Sequence, residues 1–186
     1  MAITPDDARA VAARAECLFN DSQVQQALDD VAFKISHELS DTNPLVICVM
    51  NGGLIVCAEL LKRLSFPLEV DYLNATRYGD GIVGESLSWL SKPQKSLENR
   101  TLLIVDDILD VGKTLHEVVQ YCEQMKALRV YTAVLAEKNH SRKSGLLTAD
   151  FTALHLPDRY VFGYGMDYKQ YLRNTAGIYA AAEQDE

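Results

Sequence analysis

The chain has 186 residues, 48% of them hydrophobic and 24% charged, with a formal net charge of -8. That length suits one domain able to bury about two-thirds of its unfolded surface, and the composition is that of a globular fold in water. The acidic total argues against a nucleic-acid-binding or anionic-membrane-binding protein, which wants a broad basic face, but leaves room for a local cationic pocket that takes phosphates. No apolar run approaches membrane-spanning length, and the N-terminus lacks a basic region followed by an apolar core, so a cytoplasmic protein is expected.

In chain order, Thr4-Pro5-Asp6-Asp7 is a cap, a proline at the first helical position and early acids, which predicts a helix. Ser22 is the expected cap of a second helix, whose Val24, Leu28, Val31, Ile35 and Leu39 recur every three to four residues and so share one face. Pro44 opens a strand over residues 45–50, and Asn51-Gly52-Gly53 turns the chain into a helix carrying Leu54, Cys57, Leu61 and Leu64. Residues 68–73 predict the next strand. Residues 75–85 hold three glycines and few apolar side chains, and read as a long active-site loop or lid. Residues 86–90 are either a return strand or part of that loop.

Residues 102–105 form an unbroken apolar run, the pattern of a strand covered on both faces. Further strands are expected over residues 129–136 and 151–156, and the tail from residue 180 is expected to fray. The alternation of strand and helix predicts an α/β fold: a Rossmann-like, mostly parallel sheet flanked by helices. The four cysteines show no C-x-x-C spacing and are expected as buried free thiols. The four histidines are scattered without an H-x-x-x-H pair, so any metal should be a hard ion held by oxygen.

The most informative stretch is TLLIVDDILDVGKTLH, residues 101–116. Asp106 and Asp107 fall at the carboxyl end of a strand, where open α/β sheets place their ligands. Residues 110–114 then bend the chain into a helix whose first backbone N–H groups form a phosphate cradle. One strand end thus offers acids for sugar hydroxyls or a metal, and donors for a phosphate. A Walker A loop also ends in Gly-Lys-Thr, but needs a glycine where this chain has Asp107, so an ATPase or GTPase is not expected. No G-x-G-x-x-G follows a strand, which sets aside a dinucleotide site.

VDDILDVGKTL resembles the signature of the type I phosphoribosyltransferases, and the rest of the chain, from about residue 45 to 178, is similar to their hypoxanthine-guanine branch. The resemblance implies the type I phosphoribosyltransferase fold: a single domain over residues 1–186, with a core at about 40–150. A small hood would come from the N-terminal residues and the segment after 138, and a flexible loop would close the site. It implies a magnesium-dependent purine salvage enzyme that moves the phosphoribosyl group of phosphoribosyl diphosphate onto hypoxanthine or guanine, giving IMP or GMP and pyrophosphate. It also implies a homodimer or homotetramer.

Residue by residue, the resemblance assigns Asp106 and Asp107 to the ribose hydroxyls and Asp110 to general-base work at N7 of the purine. It assigns Val111, Gly112, Lys113 and Thr114, with Asp110, to the 5′-phosphate turn. The pyrophosphate loop would be Asn51 and Gly52, with a cis peptide at Met50–Asn51, joined by Arg173 and, from the lid, by Arg77. Lys138 would donate to the 6-oxo group, Tyr160 would stack on the base, Val161 would meet it through backbone atoms, and Asp167 would be a magnesium ligand. Two positions depart from the pattern. Val111 stands where the family has Thr, and Asn51 where human-type relatives have Lys, which puts donor affinity in question rather than fold. The rivals are xanthine or adenine as acceptor, with Lys138 opposing adenine, and a non-catalytic nucleotide- or RNA-binding regulator of the same fold, which the lack of a basic cluster opposes.

Overall fold

The computed structural model describes residues 3–77 and 87–186. The expected lid from Tyr78 to residue 85 lies outside the described residues, as does the side chain of Arg77. The first helix, α1 (Pro5–Arg14), starts where expected: Thr4 Oγ1 accepts from Asp7 N at 3.2 Å, and Asp7 Oδ2 accepts from Thr4 N at 2.8 Å. After β1 (Glu16–Phe19) comes α2 (Asp21–Leu39). Its cap is Asn20 rather than Ser22, because Asn20 and Gln23 cap each other's backbone N–H groups at 3.0 and 2.9 Å. Ser22 falls inside the first turn. The expected face of α2 is buried along its whole length, at Val24, Leu28, Val31, Ile35 and Leu39.

The chain continues through β2 (Leu45–Met50), α3 (Gly53–Leu61), β3 (Glu69–Arg77), β4 (Leu87–Ser91), β5 (Thr101–Leu109) and α4 (Lys113–Gln124). It finishes with β6 (Arg129–Lys138), β7 (Phe151–Leu156), β8 (Val161–Phe162), β9 (Ile178–Ala180) and a 3₁₀ turn at Glu183–Asp185. Among the described residues six strands form one sheet in the order β4-β3-β2-β5-β6-β7, parallel except for β4. So β4 is the return strand, and β3 runs on to pair Ala75 with Trp89, past its expected end at residue 73.

The apolar run in β5 has the reason expected of it. Leu103 and Val105 join the core beneath α2 and α3, with Leu28, Ile35, Val46 and Val56. Leu102 and Ile104 face the other way, into the core beneath α4, with Leu45, Ile47, Leu115 and Val118. A second, three-stranded antiparallel sheet, β1-β9-β8, unites the two ends of the chain; behind it Val11, Phe162, Tyr168 and Ala181 form a third core. The tail corrects the expectation of fraying. Ala180 and Ala181 are fully buried, the Tyr168 hydroxyl donates to Asp185 O at 2.6 Å, and Arg14 pairs with the Asp185 carboxylate at 2.7 Å. Cys48, Cys57 and Cys122 are buried free thiols, but Cys17, on β1, is exposed. Among the described residues no helix is long and apolar enough to cross a membrane.

Candidate active site

The chain order reverses between β2 and β5: β3 lies on one side of β2 and β5 on the other. Strands on either side of such a switch point send their following loops apart, which opens a crevice at their carboxyl ends. Into it project the turn after β2, the end of β5 and the end of β6. The Met50–Asn51 peptide is cis, as the resemblance implied. Gly52 and Gly53 are there because α3 starts directly against β5. A Cβ on Gly52 would meet Asp107 Oδ2 at 2.3 Å, and one on Gly53 would meet Val105 O at 2.5 Å.

β5 reaches Leu109, so both acids belong to the strand itself. Asp106 Oδ1 accepts from Asp107 N at 2.9 Å, and Asp107 Oδ1 accepts from Ile108 N at 2.8 Å. Burial, then the charge of Asp107, pushes the Asp106 carboxyl well above the usual carboxylate range. Burial raises Asp107 too, against the opposing pull of its bond to Asp106 and of Arg173, whose Nη1 lies 3.8 Å from Asp107 Oδ2. The same guanidinium binds Asp167 Oδ1 at 2.6 Å and Gly165 O at 2.5 Å, while Gln170 N holds Asp167 Oδ2 at 2.7 Å. Asp107 of β5 thus forms one charged row beside Gly52 with Asp167 and Arg173, which come from the segment after β8.

The turn from Asp110 to Thr114 is braced from behind. Val111 O accepts from Ser144 N and Gly145 N at 3.1 and 3.3 Å, and Gly112 O accepts from Leu146 N at 3.0 Å. Gly112 has φ +83° and no room for a Cβ, which would sit 2.1 Å from Leu146 O. With these carbonyls turned to the 144–146 segment, the amino end of α4 faces a cleft of about 480 Å³ lined by residues 106–115. The first N–H groups of a helix have no acceptor within it.

A second cleft, about 300 Å³, shares Asp107, Ile108 and Asp110 with the first and is otherwise lined by Lys138, Tyr160, Val161, Met166 and Asp167. Asp110 stands at their junction. Lys138 Nζ binds its Oδ2 at 3.0 Å, and His140 Nε2 lies 2.6 Å from its Oδ1. Burial raises the Asp110 carboxyl, but these two partners outweigh it and hold it below its ordinary value. Arg142 Nη2 is 4.0 Å from Asp110 Oδ1 and pairs with Asp158. Asp110, His140 and Asp158 also have ligand atoms within 4.8 Å of one another, but Lys138 and Arg142 already compensate their charge.

The two clefts therefore gather Asp106, Asp107, Asp110, Val111, Gly112, Lys113, Thr114, Lys138, Tyr160, Val161 and Asp167, with Gly52 and Arg173 packed against Asp107. Asn51 is exposed and lines neither cleft. His140 was missed by sequence reasoning, which saw only an isolated histidine. Its one signal is its place in the polar run Asn139-His140-Ser141-Arg142, just after a strand's carboxyl end.

The phosphoribosyl transferase domain model matches residues 16–169. The hypoxanthine-guanine phosphoribosyltransferase of Bacillus subtilis (strain 168) is 33% identical over 162 residues, 87% of this chain and 89% of the relative. The hypoxanthine-guanine-xanthine phosphoribosyltransferase of Tritrichomonas foetus is 28% identical over 161 residues, 87% of this chain and 88% of the relative. A solved hypoxanthine-guanine-xanthine phosphoribosyltransferase superposes with a TM-score of 0.82 at 27% identity, covering 90% of this chain and 97% of its own. With its acid pair and its glycine turn at the switch point of a mostly parallel sheet, the chain belongs to the phosphoribosyl transferase family, in its hypoxanthine-guanine branch.

Proposed function

We propose that the protein transfers the phosphoribosyl group of phosphoribosyl diphosphate to hypoxanthine or guanine, releasing pyrophosphate and giving IMP or GMP. The observation that carries this reading is the pair of clefts meeting at Asp107, Ile108 and Asp110. A nucleotide has its phosphate and its base on opposite sides of one ribose. The cleft with the helix N-terminus suits the 5′-phosphate, the cleft with Lys138 and Tyr160 suits the purine, and the shared acids suit the sugar between them.

In the reaction the bond from the anomeric carbon to pyrophosphate breaks and the bond to purine N9 forms, while the N7 proton passes to Asp110. Asp106 and Asp107 accept from the ribose hydroxyls, and their charge favours the cationic carbon. Arg173, already aimed by Asp167 and Gly165 O, meets the leaving pyrophosphate, with Gly52 allowing close backbone approach. Asn51 and Arg77 complete that end. Tyr160 stacks on the base and Val161 meets its edge through the backbone. Lys138, a donor only, selects a 6-oxo over a 6-amino purine by leaving Asp110 Oδ2 for the base. Asp167 offers oxygen donors alone, the set that fits magnesium, and Asp167 would hold that ion to neutralise pyrophosphate. The chain works as one domain, the large sheet holding ribose, phosphate and, through Lys138, the 6-oxo edge of the base, and Tyr160 and Val161 at β8 of the small sheet holding the rest of it.

We also propose a homo-oligomer in the cytoplasm. A larger apolar hollow, about 530 Å³, shares no lining residue with the two clefts and is lined by Cys48, Met50, Leu54, Cys57, Val70 and Tyr72 among others. Leu54, Val70 and Tyr72 are exposed by 51%, 44% and 47%, a patch that a second subunit would cover. Turnover of hypoxanthine, guanine, xanthine and adenine with phosphoribosyl diphosphate and magnesium tests the main reading. Guanine and hypoxanthine should lead; preference for adenine would overturn the role of Lys138, and no turnover of any purine would overturn the activity.

A further inference from the structure

Asp110 is held from two sides that are not alike. Lys138 reaches Oδ2 from the cleft side, at the end of β6, and Lys138 itself lines that cleft. His140 reaches Oδ1 from behind, its side chain only 5% exposed against 38% for Asp110, and it lines neither cleft. The other ring nitrogen is engaged as well. Arg142 N donates to His140 Nδ1 at 3.1 Å, so Nδ1 is the acceptor and the hydrogen sits on Nε2, directed at Asp110. The charged groups facing this imidazole are thus Asp110 from the turn after β5, Asp158, whose carboxylate lies within 4.8 Å of a ring nitrogen and pairs with Arg142, and, through Asp110, Lys138 and Arg142.

We propose that His140 is a positioning residue for Asp110: its neutral Nε2–H keeps Oδ1 in place while Oδ2, released when Lys138 turns to the purine, takes the N7 proton. The inference rests on the reading of Asp110 as the base. One oxygen stays anchored throughout, so the carboxylate neither swings toward the ribose acids nor follows Lys138. With Nδ1 already accepting a backbone hydrogen, the ring does not take up the proton itself. The same bond counts among the causes that, against burial, hold Asp110 below its ordinary value.

The test is a kinetic comparison of His140→Leu, His140→Gln and His140→Asn in the full chain, each also combined with Asp110→Asn. A glutamine amide reaches about where Nε2 lies, and an asparagine amide falls short. His140→Leu should lower kcat about 10- to 100-fold, the scale of a misplaced reacting group, with KM for phosphoribosyl diphosphate changed less than about twofold. His140→Gln should recover most of that loss and His140→Asn little. The acid limb of the pH profile should move to higher pH in His140→Leu, because removing a donor to the carboxylate favours its protonated form. In the Asp110→Asn background the His140 substitutions should add nothing. Equal losses in both backgrounds, or a kcat within twofold of wild type for His140→Leu, would overturn the positioning role while leaving the base assignment standing. Near-normal turnover by Asp110→Asn alone would instead remove the base assignment, and this inference with it.

Discussion

At the scale of single residues, a pair of carboxylates and a third one three and four positions on are tuned in opposite directions. Asp106 and Asp107 are raised chiefly by burial, Asp110 is lowered by its partners, and each direction has a consequence that pH reveals. For Asp106 the folded value lies above the unfolded one, so ionising it costs stability that is absent below the ordinary value of 3.8 and grows as pH rises from there. Asp106→Asn keeps an acceptor for Asp107 N and removes the buried charge. It should therefore raise Tm at pH 7, by about 2–4 °C for each kcal/mol recovered, with the difference vanishing near pH 4 in calorimetry. Turnover should fall in the same variant, since an amide accepts less strongly from ribose hydroxyls. For Asp110 the sign is opposite: the stability it contributes is present above 3.8 and lost as pH falls through its lower folded value. Asp110→Asn should lose turnover by about 100-fold or more while circular dichroism stays native, the range that general-base catalysis supplies.

At the scale of elements, the β5–α4 connection does two jobs with one conformation. Its left-handed glycine caps the start of the helix, and its carbonyls are held by residues 144–146 so that the helix end faces the cleft. Gly112→Ala meets both a φ of +83° and the Leu146 backbone oxygen, neither of which a side-chain adjustment relieves. It should cost about 1–3 kcal/mol, read as a lowered Tm, and raise KM for phosphoribosyl diphosphate more than KM for guanine. An unchanged donor KM would mean that phosphate binds elsewhere. Much of this level was legible in the chain. The periodic face of α2, the two-sided apolar run of β5 and the cap of α1 are short-range patterns with local causes. Where those local cues compete, expectation slipped: Asn20 and Ser22 are both good caps with a glutamine three residues on, but Gln23 caps Asn20 while the Gln25 side chain bonds Tyr164 and Arg63 instead.

At the scale of the whole molecule, function depends on what the sheet order places side by side. The oligomer proposed from the hollow between α3 and β3 is open to a direct check. Tyr72→Glu sets a charge in that exposed apolar patch, and size-exclusion chromatography with light scattering should show a shift toward a smaller species; an unchanged mass would place the subunit contact elsewhere. The signature stretch alone was enough to read an acid pair at a strand end and a turn into a helix, because both follow from residues within a few positions of one another, and the alternation of strand and helix along the chain was enough to read a mostly parallel sheet. The resemblance added Lys138, Tyr160, Asp167 and Arg173 as residues, but not the contacts among them. That Arg173 reaches back to Asp107, that His140 stands behind Asp110, and that the last residues are docked rather than frayed are facts of closure between segments from 30 to 171 positions apart. Local propensity carries no information on such distances. They are set by which strand lies next to which, and by how two sheets bury their apolar faces in one fold.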